Sequence, residues 1–197
     1  VIRRHSKGEC RRSNGVKELI IILMMWIGGH TGFPIPDSPN ILVKTQSEIR
    51  YIAYECDKLK IENEDLYNNI CRYSTQAGSV DDPRAIDVLA IYDHTNKTIY
   101  LPTYFDKDNM AHRAILLHEL VHHLQYQSGY NKKIQCLPLL EKQAYDLMDM
   151  WLDENKAVMP PELSVGPLLR FMLTNCMMSQ GPYIPEDDHY VPKKLGG

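Results

Sequence analysis

The chain has 197 residues, of which 44% are hydrophobic and 24% are charged. That is enough apolar material for one domain with its own core, flanked by short appendages. The formal net charge of −3 gives no reason to expect a nucleic acid or an anionic membrane as a partner.

The N-terminal part of the chain permits two interpretations. Several basic side chains precede the apolar run 19–27, which is the outline of a signal peptide and is too short to span a bilayer. However, Glu18 abuts the run, and the segment 28–32 makes a poor cleavage site. We therefore favour a buried helix over about 16–30, which leaves residues 1–15 as a disordered leader. Localisation depends on the same choice: a helix slightly favours the cytoplasm, and a signal peptide means export.

A short strand and a helix are predicted after a proline-rich connector. Residues 40–44 form the strand candidate, and Thr45 with Glu48 is typical of a capping box that starts a helix. Apolar residues recur at helical spacing in that helix, which predicts packing against the core; they are Ile49, Ile52, Ala53, Cys56 and Leu59. Further along, residues 85–92 and 98–101 predict the two strands of a β-hairpin, joined by a turn at 93–97.

Residues 111–125 predict the central helix of the domain. Asp108 or Asn109 can cap its start, and Gly129 can end it in the left-handed conformation. One face of the helix is an apolar stripe that predicts burial, made of Leu117, Leu120, Val121 and Leu124.

The same helix carries the motif H-E-x-x-H. His118 and His122 project from one face, near enough for both imidazoles to bind a single tetrahedral Zn²⁺. Glu119 can reach a metal-bound water without being a ligand, which is the position of a general base in metallopeptidases. The alternative is an amphipathic helix whose histidines are only core-edge or surface residues.

A catalytic zinc needs three protein ligands and one open position for water. The longer pattern H-E-x-x-H-x-x-G-x-x-H is excluded, because Gln125 and Ser128 occupy the positions of its glycine and its last histidine. A glutamate on a following helix is the other common solution. Pro138 suits the first position of such a helix, and Glu141 follows His122 by 19 positions, which is far enough for the chain to turn back.

This part of the chain resembles the gluzincin group of zinc peptidases, in particular small bacterial domains that carry HELVHHLQ, a cysteine, E-x-x-A-Y and a W-L pair. The matching residues are 118–125, Cys136, Glu141, Ala144, Tyr145, Trp151 and Leu152. The resemblance is strong over about 85–152 and weaker back to about residue 16. It implies zinc bound by His118, His122 and Glu141, with Glu119 as the general base.

Tyr145 departs from the pattern of larger gluzincins, which often carry at this position an acid that orients a zinc histidine. Asp146 or Asp149 could orient the histidine instead. The Tyr145 hydroxyl is expected near Glu141 on the same helix face. There it either polarises a carbonyl and supports the oxyanion, or belongs to an ordinary packed tyrosine.

In zincins an antiparallel strand beside the metal helix holds the peptide substrate by strand addition, and the predicted hairpin is the candidate here. His94 in its turn is either a turn residue or a substrate contact. His123 is rotated away from the ligand face, so we expect it to support a ligand or to lie on the surface. His112 is expected to approach the edge of the cleft.

The C-terminal part has a weaker pattern. Residues 168–178 predict a helix on the core, and residues 181–197 predict a flexible tail. The five cysteines form no C-x-x-C pair, so they are either free buried thiols or part of one or two disulfides in an exported protein. Cys136 either braces the helix of Glu141 through a disulfide or lies near the metal.

These observations predict a single zincin-like domain of the α+β class over residues 16–180, with the metal-site helix on a small, mostly antiparallel sheet and a second helix that carries the glutamate. The expected function is zinc-dependent hydrolysis of a peptide bond in a peptide or protein substrate, with Glu119 and Tyr145 at the reaction centre. The alternatives are a non-catalytic interaction module stabilised by zinc and a metal-free helical binding protein.

Overall fold

The computed structural model describes residues 9–53, 61–62 and 89–176. The helices bounded within them are α1 (Glu9–Thr31), α2 (Gln46–Ala53), α3 (Met110–Gln127), α4 (Pro138–Glu154) and α5 (Pro167–Thr174). The strands are β1 (Asn40–Lys44), β2 (Ile91–Asp93) and β3 (Thr98–Pro102). The described part of the chain therefore has the α+β class that the sequence predicts. Some predictions lie outside the described residues, namely those for residues 1–8, 85–88 and 181–197 and for Cys56 and Leu59.

The three strands form a mixed sheet in the order β1-β3-β2. The hairpin strands β2 and β3 pair antiparallel over three residues, whereas β1 pairs with β3 in parallel over five. The prediction of a mostly antiparallel sheet is therefore wrong. A hairpin can be recognised from local turn residues, but the pairing of β1 with a strand far along the chain has no local signal.

Helix α1 begins at Glu9, so residues 9–15 are helical and not part of a disordered leader. Glu9, Arg11 and Arg12 are good helix formers, but the run 13–15 is Ser-Asn-Gly, whose residues are poor ones, so helix propensity alone does not explain this extension. One side of the run is buried in the core, through Leu19, Ile20, Leu23, Met24 and Ile27. Within the described residues, no helix combines the length and the apolarity that a membrane span needs.

Helix α3 lies at the centre of the core and contacts α1, α4, β2 and β3. Its N-cap is Asn109, whose Oδ1 accepts hydrogen bonds from the backbone N–H groups of Ala111 and His112. Gly129 follows its end with a φ of 70°, a conformation that glycine adopts without steric cost. The predicted stripe Leu117, Leu120, Val121 and Leu124 is fully buried. Each such side chain contributes roughly 1.5–3 kcal/mol through burial, so this stripe fixes how α3 sits on the sheet.

The C-terminal helix α5 packs against α4. The capping proline Pro138 starts α4 as predicted, and α5 overlaps the helix predicted at 168–178. A disulfide joins Cys136, just before α4, to Cys176, just after α5, with a Cα–Cα distance of 5.9 Å. Of the two roles considered for Cys136, the structure shows the disulfide brace.

Candidate metal centre

Helix α3 places the two histidines of H-E-x-x-H one turn apart and facing the same way. The ring centroids of His118 and His122 are 4.9 Å apart, and their Nε2 atoms are separated by 3.2 Å. Both side chains are nearly buried, with about a tenth of their surface exposed. Two imidazole nitrogens therefore converge on one point at the wall of the core.

Glu141 completes the group from the first turn of α4. Its Oε2 lies 3.3 Å from His118 Nε2, and its Oε1 lies 3.2 Å from His122 Nε2. The structure thus brings together the three residues that the sequence indicated as ligands. Among the described residues, they are a group of histidine and carboxylate side chains close enough to hold a metal ion.

The charges of these groups are strongly coupled in the metal-free protein. Burial opposes ionisation of Glu141, but hydrogen bonds with His118 and His122 outweigh it and hold the pKa of that carboxyl far below its usual range. Burial also disfavours protonation of His122, yet its hydrogen bond to Glu141 and the charge of that carboxylate raise the pKa of His122 to about 9. Without a metal, His122 is therefore protonated at neutral pH and paired with Glu141.

Glu119 lies beside this group and lines the same cavity. Its side chain is buried, and this burial raises the pKa of the Glu119 carboxyl above its ordinary value. The nearby histidines act in the opposite direction, as does a hydrogen bond with the backbone of Tyr92. A carboxyl with a raised pKa accepts a proton more readily than an ordinary glutamate does.

Gln125 is a member of the site that the sequence reasoning missed, because it was considered only as the wrong residue for a longer motif. The buried side chain accepts a hydrogen bond from His122 Nδ1 at 2.9 Å. Its amide nitrogen donates to the carbonyl of Leu140 at 3.0 Å and to Gln143 Oε1 at 2.9 Å. The available signal was its position, one helical turn after His122. Gln125 therefore orients His122 and joins the two helices that carry His118, His122 and Glu141.

His118 has a different environment. Its Nδ1 atom is buried and has no hydrogen-bond partner among the described residues. The suggested acidic partners are absent from this position, because Asp146 pairs with Lys142 and Asp149 pairs with Arg170. Neither of the two candidates, Asp146 or Asp149, therefore orients His118.

Tyr145 packs against the ligand group from the next turn of α4. Its ring contacts the His118 ring edge-on, with a centroid distance of 4.5 Å. The guanidinium carbon of Arg170 lies over the Tyr145 ring, 4.7 Å from its centroid. Burial raises the pKa of Tyr145 far above neutral pH, so its hydroxyl stays protonated. The side chain lines the cavity and can donate a hydrogen bond there.

A cavity of about 620 Å³ opens onto these residues. Its walls come from β2 and the residues before it, from α3 and α4, and from the segment 159–173. Most of the lining is apolar, and β2 is the edge strand of the sheet. The cavity is large enough for a few side chains of a substrate.

The three other histidines that the sequence analysis considered, His94, His112 and His123, each make contacts outside the group of His118, His122 and Glu141. His123 is buried, where Nε2 donates to the carbonyl of Asp37 at 2.8 Å and Nδ1 accepts from the Tyr92 hydroxyl at 3.0 Å, so the expected surface position is wrong. His112 accepts a hydrogen bond from the backbone of Asp106 and is not part of the cavity lining. His94 stacks on Tyr126, with a centroid distance of 4.5 Å, and does line the cavity.

Comparison with known proteins gives one partial match. Residues 68–161, a little under half of the chain, match a family described as "Domain of unknown function (DUF6647)". The matched part includes α3 and α4 and ends before α5. Neither the comparison with curated proteins nor the comparison with solved structures gave a match.

Proposed function

We propose that the protein is a zinc-dependent metallopeptidase of the gluzincin type, with a zincin-like domain. The observation that carries this proposal is the set of separations among His118 Nε2, His122 Nε2 and the Glu141 oxygens, which are 3.2–3.3 Å. Tetrahedral zinc with ligand bonds of about 2.0–2.2 Å places ligand atoms roughly 3.3–3.6 Å apart, so only a small adjustment is needed. The spacing and the chemistry of these donors fit Zn²⁺.

The number of ligands supports a catalytic site over a structural one. Structural zinc sites usually close with four protein ligands, whereas catalytic sites use three and keep one position open. The group contains three ligand residues, and all of them line the cavity. Bound by these residues, zinc supplies a Lewis acid that acidifies water and polarises a carbonyl group.

Glu119 is the proposed general base. It takes a proton from the attacking water, whose hydroxyl joins the acyl carbon, and it returns the proton to the departing nitrogen as the C–N bond breaks. The raised pKa of the buried carboxyl suits this exchange, since it makes Glu119 a better proton acceptor than an exposed glutamate. The net reaction adds water across the bond.

Tyr145 is proposed to donate a hydrogen bond to the oxygen on which negative charge develops. The hydroxyl stays protonated because of its burial beside Glu141 and Glu119. Tyr145→Phe keeps the ring contact with His118 and removes only the donor. We expect about a tenfold or larger loss of kcat, with zinc content unchanged. An unchanged kcat would mean that Tyr145 only packs.

The substrate is proposed to be a peptide that binds along the edge of β2. This strand lies at the end of the sheet and lines the cavity, so its outer backbone groups can pair with an extended chain. The apolar walls accept the side chains on one face of that chain.

The test is cleavage of a defined peptide mixture by the zinc-loaded protein, followed by mass spectrometry. Glu119→Gln should keep zinc and lose cleavage by about a hundredfold or more. Glu18→Gln, the same change at an exposed site on α1, is the matched control and should cleave like the wild type. Equal cleavage in all three proteins would reject Glu119 as the base, and zinc binding without any cleavage would favour the non-catalytic interaction module.

A further inference from the structure

The cavity has an uneven distribution of charge. Among the described residues that line it, Arg170 is the only lysine or arginine, and three carboxylates, Glu119, Glu141 and Asp149, lie on the same walls. The rest of the lining is mostly apolar. A single guanidinium in such a wall is a specific binding group for an anion, because it has little competition from other cations.

Arg170 is held in place by α4 from two sides. Its guanidinium makes a forked pair with Asp149, with distances of 2.6 and 3.3 Å, and its face lies 4.7 Å from the Tyr145 ring centroid. Asp149 uses two of the five N–H donors of a guanidinium. The contact with Tyr145 uses the flat face and no N–H. No further hydrogen bond of the guanidinium is formed with the part of the chain that the structure describes, so its remaining donors can bind a ligand in a fixed orientation.

The contacts of Tyr145 set an upper limit on the distance between Arg170 and His118. Tyr145 contacts the His118 ring at 4.5 Å and Arg170 at 4.7 Å, so the guanidinium lies at most about 9 Å from that imidazole. Consecutive residues of a peptide advance about 3.8 Å, and a charged N–H···O contact adds about 2.8 Å. A carboxylate one residue beyond the bond being cleaved covers such a distance.

We propose that Arg170 binds the terminal carboxylate of the substrate, which makes the substrate class peptides or acylated amino acids that end one residue after the scissile bond. This inference rests on the proposed function of the same site. The apolar walls then favour a hydrophobic last residue. Because Arg170 lies beyond residue 161, this specificity belongs to the C-terminal segment outside the matched family region.

The experiment measures binding of two probes to the zinc-loaded protein by calorimetry. 2-Benzylsuccinate has one carboxylate for the metal group, a second for Arg170 and a phenyl ring for the apolar wall. 4-Phenylbutanoate is the same molecule without the second carboxylate. We expect the wild type to bind 2-benzylsuccinate about tenfold more tightly or better.

Two variants test whether Arg170 binds the probe or only forms an ion pair with Asp149. Each variant breaks the ion pair, but only one of them removes the guanidinium. Arg170→Met should bind both probes equally. Asp149→Asn removes the carboxylate that competes for the guanidinium, so the preference for 2-benzylsuccinate should increase. If both variants change the preference equally, or if neither does, the inference is overturned.

Zinc content and circular dichroism of the same samples distinguish failure of the proposed function from failure of this inference alone. If the wild type holds no zinc, both the proposed function and this inference fail. If all samples are folded and hold zinc but the preference does not depend on Arg170, only the inference fails.

Discussion

Helices α3 and α4 and the C-terminal segment 159–176 border the same cavity but are held in different ways. The two helices share a fully buried apolar contact, and buried Gln125 joins them beside the ligands. Helix α5 has no buried residue and is attached through the Cys136–Cys176 disulfide and the Arg170–Asp149 pair. The positions of His118, His122 and Glu141 therefore depend on the core. The segment 159–176, called the cover of the cavity below, is held at α5 by the disulfide and the ion pair.

The largest expected difference is in stability after truncation of a leucine. Leu120 of α3 is fully buried, and Leu168 of α5 is 75% exposed. Leu120→Ala should lower the free energy of unfolding by about 3–4 kcal/mol because it leaves a cavity, while Leu168→Ala should change it by less than about 0.5 kcal/mol. Urea denaturation of the two variants measures this. Similar losses would contradict the distinction between core and cover.

Removal of the disulfide should act on the cover and spare the ligand group. The double change Cys136→Ser and Cys176→Ser releases the end of α5, and should cost roughly 2–4 kcal/mol in unfolding free energy. Hydrogen exchange should become faster across α5, with zinc content unchanged. A loss of zinc in this variant would show that the ligand geometry depends on the cover.

Gln125→Met tests the link between the two ligand helices. The change keeps the volume but leaves His122 Nδ1 without its partner and removes the bond to the Leu140 carbonyl. This should cost about 2 kcal/mol and weaken zinc binding about 10–100-fold. Gln143→Met is the matched control, since it removes a bond to Gln125 and keeps the bond between Gln125 and His122. Equal zinc affinities in the two variants would reject a positioning role for Gln125.

The smallest expected effect is the change in zinc affinity for each pH unit. Because the pKa of metal-free His122 is raised to about 9, its Nε2 must lose a proton before it can bind a metal. Zinc affinity should therefore fall roughly tenfold for each pH unit below about 9. Competition with a chelator from about pH 6 to 8 measures the slope. A flat profile would mean that His122 is not held protonated by Glu141.

The comparison also separates what the sequence could predict from what it could not. The caps of α3, the start of α4 at Pro138 and the proximity of His118, His122 and Glu141 were all predicted, because helix periodicity and capping are local properties. The role of Gln125 depends on the Leu140 carbonyl of another helix, and the parallel pairing of β1 depends on a distant strand. Such contacts have no local pattern, so they were missed or predicted wrongly.

His123 and Asp149 illustrate the same limit. The position of His123 on the helix excluded it from the face of His118 and His122. Its buried ring is satisfied by hydrogen bonds with the Tyr92 hydroxyl and the Asp37 carbonyl, which lie far away in the sequence. Asp149 lies on α4, the helix from which an acid could support a histidine, but its carboxylate forms an ion pair with Arg170. A helix face can be read from spacing, whereas its partners depend on the tertiary packing.

The most direct test of the central claim is the zinc content of the purified protein, measured by elemental analysis for the wild type, Glu141→Ala and the exposed control Glu18→Ala. The account predicts one zinc ion per chain in the wild type and in the control, and a large loss in Glu141→Ala. No zinc in the wild type, even after zinc is added, would contradict the proposed site. Full zinc content in Glu141→Ala would show that Glu141 is not the third ligand.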